Sequence, residues 1–496
     1  VKVLLVAPPI MDTIAGHLQV VGVDALRECP PLGIYSLAAV LHSRGHEVTI
    51  ADLVLHGTRS LDAFDSDVGN CDLVGVGSTS MAWPAALDAI RQVRQRRPDV
   101  PIVCGGIHPT LFDRYILSAF PVQFVIRGEG EAAIDSLCSA LEGRVDLADV
   151  PSLSWTDTAG RLVRNDNAPK LTTGELASIP LPDFGRLPPA SYKCLAVESS
   201  RGCGYDCAFC STLYRKTWRG LHPQAVVMRL EHALEHIDRT TSKCLHIVDD
   251  EFSMNPARAT EIAQSIRRRG LNPRLLFDSR ASDLLYPGFV PSIAPYTAGL
   301  LVGAECGYDE GLAKVGKGTT CQTLERAAQT LCENGIAART DFSFILGLPW
   351  ESRQEVETTI RFATHLFVEY GVHVMLQWYR QIPGSRIWQD ARRKMLVHES
   401  MYDDYGFFRN LYLFRSSCQL DPKEIYEIAE MTDQLRWLAE LSGHQRPSIV
   451  HHFPSPIAEY FPQTLLDLED AGLANLRALA HPPRRGSLNL EGVRTS

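Results

Sequence analysis

Three cysteines within one short loop constrain this chain more than any other feature. Residues 201–210 read RGCGYDCAFC, a Cys-x3-Cys-x2-Cys spacing of Cys203, Cys207 and Cys210. Thiolates this close, on a glycine-containing loop directly after a strand, can hold three irons of a cubane 4Fe–4S cluster. The fourth iron is then open to a substrate or cofactor. Phe209, immediately before the last cysteine, is placed to shield such a cluster from water. Structural zinc instead favours paired Cys-x2-Cys knuckles and requires a fourth ligand; the sequence has no second knuckle. A chance grouping of buried cysteines is the remaining alternative.

The other cysteines do not form a framework. The chain holds thirteen, odd in number and scattered, which argues against paired disulfides. A length of 496 residues exceeds one ordinary core, so two or three domains are expected. The formal charge of −9, with signs mixed along the chain, disfavours a nucleic-acid binder. The opening VKVLLVAPP is too short an apolar run for a secretory signal, and no run reaches the ~18 apolar residues of a membrane span. A cytoplasmic protein with no membrane span and no nucleic-acid partner is the expectation.

The fold class expected is α/β. Short apolar runs at 3–7, 48–53, 73–77, 102–104 and 123–126 alternate with helix-like stretches at 34–43, 85–95 and 131–141, the pattern of a parallel, doubly wound Rossmann-like sheet. Glycines follow several of these strands (Gly77, Gly105, Gly106, Gly128, Gly130), where open α/β sheets bind ligands. Residues 146–192 change texture: SLSWTDTAGRLVRND reads as a hairpin turning at Ala159-Gly160, and IPLPDFGRLPPASY as a proline-rich linker. Six more runs, near 195–197, 245–248, 275–277, 300–304, 342–346 and 372–376, predict a full or partial (β/α)6 barrel. The division is therefore an α/β domain over 1–145, hairpin and linker over 146–192, the barrel over 193–395, and a mainly helical C-terminal region over 396–496. That last region opens with MYDDYGFFRNLYLF. Its aromatics Tyr402, Tyr405, Phe407, Phe408, Tyr412 and Phe414 suit either core packing or a substrate pocket.

With the loop at the end of a barrel's first strand, the chain resembles the radical S-adenosylmethionine (SAM) enzymes. In that family SAM chelates the open iron, and electron transfer cleaves it to a 5′-deoxyadenosyl radical. The resemblance continues in order along the chain, over roughly residues 192–392. HIVDDEFSMN (246–255) is similar to the family's acidic segment, which meets the SAM amino group, implicating Asp249 and Asp250. RASDLL (280–285) resembles the third-strand motif, implicating Arg280. LLVGAECGYDEGLAKVGKG (300–318) resembles the fourth-strand pattern, implying that Glu305 approaches the SAM ribose, with Cys306 where serine is more usual. DFSFILGLPWES (341–352) resembles the fifth-strand Gly-Leu-Pro-Gly-Glu motif, with Gly347, Pro349, and Trp350 in place of the second glycine. Phe209 joins this SAM-binding set. Read alone, Asp249 and Asp250 also suit a helix cap, and Gly347 and Pro349 a tight turn.

An α/β domain ahead of such a barrel resembles the cobalamin-binding subgroup, through VLLVAPP (3–9), CPPLGIYSLAAVL (29–41), VCGGIHPT (103–110) and VIRGEGE (125–131). The resemblance implies cobalamin contacts from Ser78, Thr79, Gly105, Gly106, His108, Gly128 and Glu129. No histidine here has aspartate two positions before it, so the Asp-x-His-x-x-Gly source of a lower cobalt ligand is missing. His108 is expected as a loop or corrin-edge residue. What the resemblance implies is C-methylation of a small-molecule substrate: two SAM molecules per product, with electrons from an external donor such as flavodoxin or ferredoxin. An oxidative cyclase or rearrangement enzyme without methyl transfer shares the same motifs. A two-cluster methylthiotransferase would use Cys29, Cys71 and Cys104, and a cobalamin- or redox-sensing module is the non-enzymatic alternative.

Overall fold

Each of the eleven apolar runs becomes a parallel strand, and together they form two sheets. The computed structural model describes residues 1–14, 17–20, 29–405, 419–421, 423–425, 427–432 and 449–451. In the first domain, β1 (Lys2–Ala7) is followed by a small hairpin, β2 (Met11–Ile14) and β3 (His17–Val20). Then come β4 (Glu47–Asp52), β5 (Leu73–Gly77), β6 (Ile102–Gly105) and β7 (Phe124–Ile126). Their order is β4-β1-β5-β6-β7, all parallel. The chain moves outward from β1 to β4 and then crosses to β5, so the strand order reverses between β1 and β5. That switch point opens a crevice at the carboxyl ends of the two strands.

The helix Leu32–Ser43 packs on one face of this sheet and Trp83–Arg96 on the other, each burying an apolar stripe against strands apolar on both sides. One helix was not anticipated. Ile107–Ala119 follows β6 although Pro109 lies within it. Proline is tolerated there because a first-turn N–H has no partner inside the helix anyway.

The hairpin expected in the linker belongs to the first sheet. β8 (Leu153–Thr156) pairs antiparallel with β7, and β9 (Leu162–Arg164) with β8. Asp157 accepts from the Ala159 and Arg161 amides at 2.9 and 2.8 Å, and Gly160 takes the φ of +74° that the turn requires.

The second domain runs through β10 (Tyr192–Val197), the two-residue pair β11 (Ser200–Arg201) and β12 (Arg219–Gly220), β13 (Thr240–Ile247), β14 (Leu275–Ser279), β15 (Thr297–Glu305), β16 (Thr340–Leu346) and β17 (His373–Trp378). Strands β10, β13, β14, β15, β16 and β17 are neighbours in that order and parallel, as a partial barrel requires. The C-terminal region, read as helical, adds β18 (Ile449–His451) alongside β17. Among the described residues no helix is long and apolar enough to cross a membrane.

Polar groups lock the domains together. Asp52, at the end of β4, accepts from the Tyr35 hydroxyl at 2.9 Å and from the Tyr192 hydroxyl of the second domain at 2.6 Å. The start of the C-terminal region straps the outside of the first domain. Asp403 accepts from Trp83 Nε1 at 2.8 Å and from the Tyr115 hydroxyl at 2.5 Å, and the Tyr405 hydroxyl donates to Asp88 at 2.6 Å. Tyr402 is buried, its hydroxyl donating to the Gln381 carbonyl at 2.7 Å. These two aromatics serve packing; Phe407, Phe408, Tyr412 and Phe414 lie outside the described residues.

Candidate active site

Alternation along the barrel strands builds the site. In β15, Leu300, Val302 and Ala304 are buried in the hydrophobic core, while Leu301, Gly303 and Glu305 face a cavity of about 380 Å³. Asp278 of β14, Ser343 and Ile345 of β16 and Gln377 of β17 line it likewise. The cavity floor is the loop after β10, which contributes Cys203, Tyr205, Cys207, Phe209 and Cys210.

Loop geometry explains the sequence around those cysteines. Gly202 has φ +85°, and a side chain there would collide with the Thr217 carbonyl. The Cys203 amide donates to the Tyr214 carbonyl at 3.1 Å, and the Thr212 amide donates to Cys210 Sγ at 3.5 Å. Neither Cys203, Cys207 nor Cys210 is in a disulfide. Burial pushes the Cys203 thiol up to about 11 and raises that of Cys210. Three soft donors on one loop, facing a cavity with room beyond them, fit a 4Fe–4S cluster with one open iron.

Asp249 anchors this loop and does not line the cavity. Its carboxylate accepts from the amides and hydroxyls of Ser199 and Ser200, four bonds of 2.5 to 3.0 Å. These bonds give Asp249 a hold on the loop, beside the SAM contact that the resemblance implies for it. Asp250 does reach the cavity and accepts from the Thr212 hydroxyl at 2.8 Å. Glu251, which the sequence reading passed over, lines it too, and burial pushes its carboxyl up to about 7.

The opposite wall carries a buried ion pair. Lys317 Nζ donates to Glu305 Oε1 at 2.8 Å, and a β-carbon on Gly303 would lie 2.5 Å from both atoms. Glu305 has φ +64°, at an irregularity where the β15–β16 register shifts. That strain is the sort a fold holds where a side chain must be aimed. Burial works against the Lys317 charge, but Glu305 outweighs it and the ammonium pKa is raised. Arg280 lies flat on the Tyr205 ring at 3.5 Å from its centroid and donates to the Lys317 carbonyl. Gly347 and Pro349 are not among the lining residues. Gly347 has φ +75°, and Glu351 closes this turn by accepting from the Leu348 amide at 2.9 Å and the Tyr308 hydroxyl at 3.1 Å.

The first domain presents its strand ends differently. Gly106 has φ +97°, and a β-carbon there would sit 2.6 Å from the Ser78 carbonyl oxygen. The loops after β5 and β6 therefore approach as closely as backbone allows, with the Ser78 amide donating to the Gly105 carbonyl at 2.9 Å. Ser78 spends its hydroxyl on the Thr79 carbonyl, and Thr79 Oγ1 accepts from the Ala82 amide. His108 is fully buried, stacked on Trp83 and bonded to Ser80 Oγ at 3.1 Å, with burial lowering its pKa to about 3. His108, expected as a loop or corrin-edge residue, sits in the first turn of the helix after β6 with its side chain in the core.

Glu129 is likewise committed to the domain interface. It pairs with Arg201 at 3.1 Å and Arg219 at 2.7 Å and accepts from the Leu171 amide, while Glu131 also meets Arg201 at 2.9 Å. Gly128, at φ +75°, is the turn that delivers it, beside the Tyr214 hydroxyl. The glycine-lined, mutually bonded ends of β5 and β6, beside the switch point, fit a large flat cofactor held by backbone. Cys29, Cys71 and Cys104 do not share a site. Cys104 pairs with Val76 inside the sheet, and Cys71 lies five residues before Val76, about 16 Å away along an extended strand.

Two protein families match separate parts of the chain. Residues 18–138 match the B12 binding domain family, and residues 197–363 the radical SAM superfamily. The chain is 29% identical to an uncharacterized methyltransferase, PH0819, of Pyrococcus horikoshii over 468 residues, covering 90% of this chain and 94% of that one. It is 26% identical to the anaerobic magnesium-protoporphyrin IX monomethyl ester cyclase of Rubrivivax gelatinosus, covering 78% of this chain and 70% of that protein. Among solved structures, the radical SAM methyltransferase TsrM from Kitasatospora setae, with cobalamin and a [4Fe-4S] cluster bound, superposes with a TM-score of 0.61. The identity is 20%, over 80% of this chain and 75% of that one, so the likeness is one of fold.

Proposed function

We propose, from the premise that this chain belongs to the cobalamin-binding radical SAM enzymes, that it transfers a methyl group to an unactivated carbon of a small molecule. One observation supports this above others: the loop that carries Cys203, Cys207 and Cys210 is also the loop that the first domain grips. Glu129 of the first domain holds Arg201 and Arg219 at either end of it, while Asp249 of the barrel holds its start. The two cofactor-bearing regions therefore share one rigid element.

Within that reading, Cys203, Cys207 and Cys210 ligate the cluster, and Asp250 and Glu251 face the SAM ammonium. Glu305, fixed by Lys317, meets the ribose hydroxyls, while Phe209, Leu301 and Ile345 exclude water. Gly106 and the loop of Ser78 and Thr79 set the backbone under the corrin. When bound, the cluster supplies the electron that cleaves SAM and the cobalamin carries the methyl group; the protein's share is orientation and dryness. Domain limits of 1–145, 193–395 and 396–496 remain our division, with residues 146–192 between the first two and their hairpin counted with the first sheet. A cytoplasmic setting and a flavodoxin- or ferredoxin-type electron donor complete the proposal.

The test uses anaerobically reconstituted holoenzyme with SAM and reductant. Methyl transfer requires S-adenosylhomocysteine to form, one for each methyl group transferred, beside 5′-deoxyadenosine. Formation of 5′-deoxyadenosine alone would overturn methyl transfer in favour of the cyclase-type chemistry named for the Rubrivivax relative.

A further inference from the structure

The charges around the cavity are nearly all spoken for. Lys317 is paired with Glu305, and Arg280 is spread over Tyr205 and bonded to the Lys317 carbonyl. Asp250 accepts from Thr212, and Glu251 from the Ser253 amide and hydroxyl at 3.1 and 2.6 Å. The exception is Arg380, two residues past the end of β17. Its guanidinium lines the cavity and, among the described residues, has no carboxylate partner and no hydrogen-bond acceptor. Desolvation lowers its pKa with no opposing acid. Arg380 is half-buried and keeps its charge, and a partly desolvated charge gains from an anionic partner.

Its surroundings say what the missing partner is attached to. The segment after Arg380 is bolted to the cluster loop: Arg215 donates to the Gly384 carbonyl at 2.8 Å, Arg386 to the Asp206 carbonyl at 2.8 Å, and the Ile387 amide to the Ala208 carbonyl at 3.1 Å. The backbone that follows Arg380 is therefore fixed against the cluster loop. Beside it the wall is Ile345, Trp378 and Ile382. We infer that Arg380 binds an anionic group of the substrate, a carboxylate or phosphate carried on an otherwise apolar body. Guanidinium suits both through its planar fork of donors. This inference rests on reading the cavity as the SAM and substrate site.

SAM carries a carboxylate of its own, so the experiment separates the two sources. Reconstituted wild-type, Arg380→Gln and Arg380→Lys proteins are dialysed to equilibrium against SAM, and then, SAM-loaded, against hexanoate, hexyl phosphate and neutral hexanamide. Circular dichroism and iron content check that each variant is folded and loaded. Wild type is expected to hold one of the two anions at least about tenfold more tightly than hexanamide. Arg380→Gln loses that preference, Arg380→Lys keeps part of it, and SAM affinity changes less than about twofold. Loss of SAM affinity in Arg380→Gln would overturn the inference by giving the guanidinium to the SAM carboxylate. Wild type that binds SAM without preferring the anions would also overturn it, leaving the site reading intact. Wild type that binds no SAM would overturn that reading and the inference together.

Discussion

The two cofactor regions are built by opposite means. In the barrel, side chains make the site: three thiols, a buried Glu305–Lys317 pair, Asp250, Glu251 and Arg280 converge on one cavity. In the first domain, backbone makes it. Its strand-end hydroxyls are bonded locally, His108 is turned inward, and Glu129 is spent on arginines of the other domain. What remains there is glycine and topology. A site that must polarise and cleave a small cofactor needs charges at fixed points, whereas one that cradles a large ring needs mainly an unobstructed surface.

The comparison breaks most visibly at the cysteines. Replacing Cys203, Cys207 and Cys210 together with alanine is expected to abolish cluster absorbance and 5′-deoxyadenosine formation while cobalamin still binds. Absorbance spectra and product analysis of reconstituted protein check it, and loss of both cofactors would show that the two regions are not separable. Next in size is the ion pair. Lys317→Met leaves Glu305 buried without a partner, at a cost of about 3–5 kcal/mol, and the double variant Glu305→Gln/Lys317→Met recovers much of that stability without recovering SAM affinity. Thermal unfolding and SAM dialysis read the two effects separately.

The smallest effect belongs to the backbone site. Gly106→Ala places a β-carbon against the Ser78 carbonyl at a φ of +97° and ψ of −171°, with backbone strain of about 1–3 kcal/mol. Cobalamin retention should fall while iron content and SAM affinity hold. Gly143→Ala is the control, since Gly143 also has a positive φ but nothing lies within 4 Å of its β-carbon position. Equal losses in both variants would remove the claim that Gly106 matters for its close approach.

Legibility followed the same line. Strand runs were plain because parallel strands buried on both faces are continuously apolar, and the cysteine loop was plain because its spacing serves one chemistry. The hold of Asp249 on the cluster loop was not legible because sequence cannot say which of two adjacent carboxylates meets the serines of a neighbouring strand end. Lys317 and Arg380 were missed for a related reason: each lies near a recognisable segment, but its pairing, or lack of it, is settled only when distant strands fold side by side. The hairpin 153–164 was legible as a hairpin but was grouped with the linker, because a short polar β-ribbon carries no sign of which sheet edge it joins. The helix 107–119 was hidden by Pro109, and β18 by the helical texture around it.

The most direct measurement is iron and cobalamin per chain, on protein reconstituted without oxygen with iron, sulfide and hydroxocobalamin. The account predicts about four irons with one cobalamin. About eight irons and no cobalamin would contradict it, because the first domain would then be holding a second cluster.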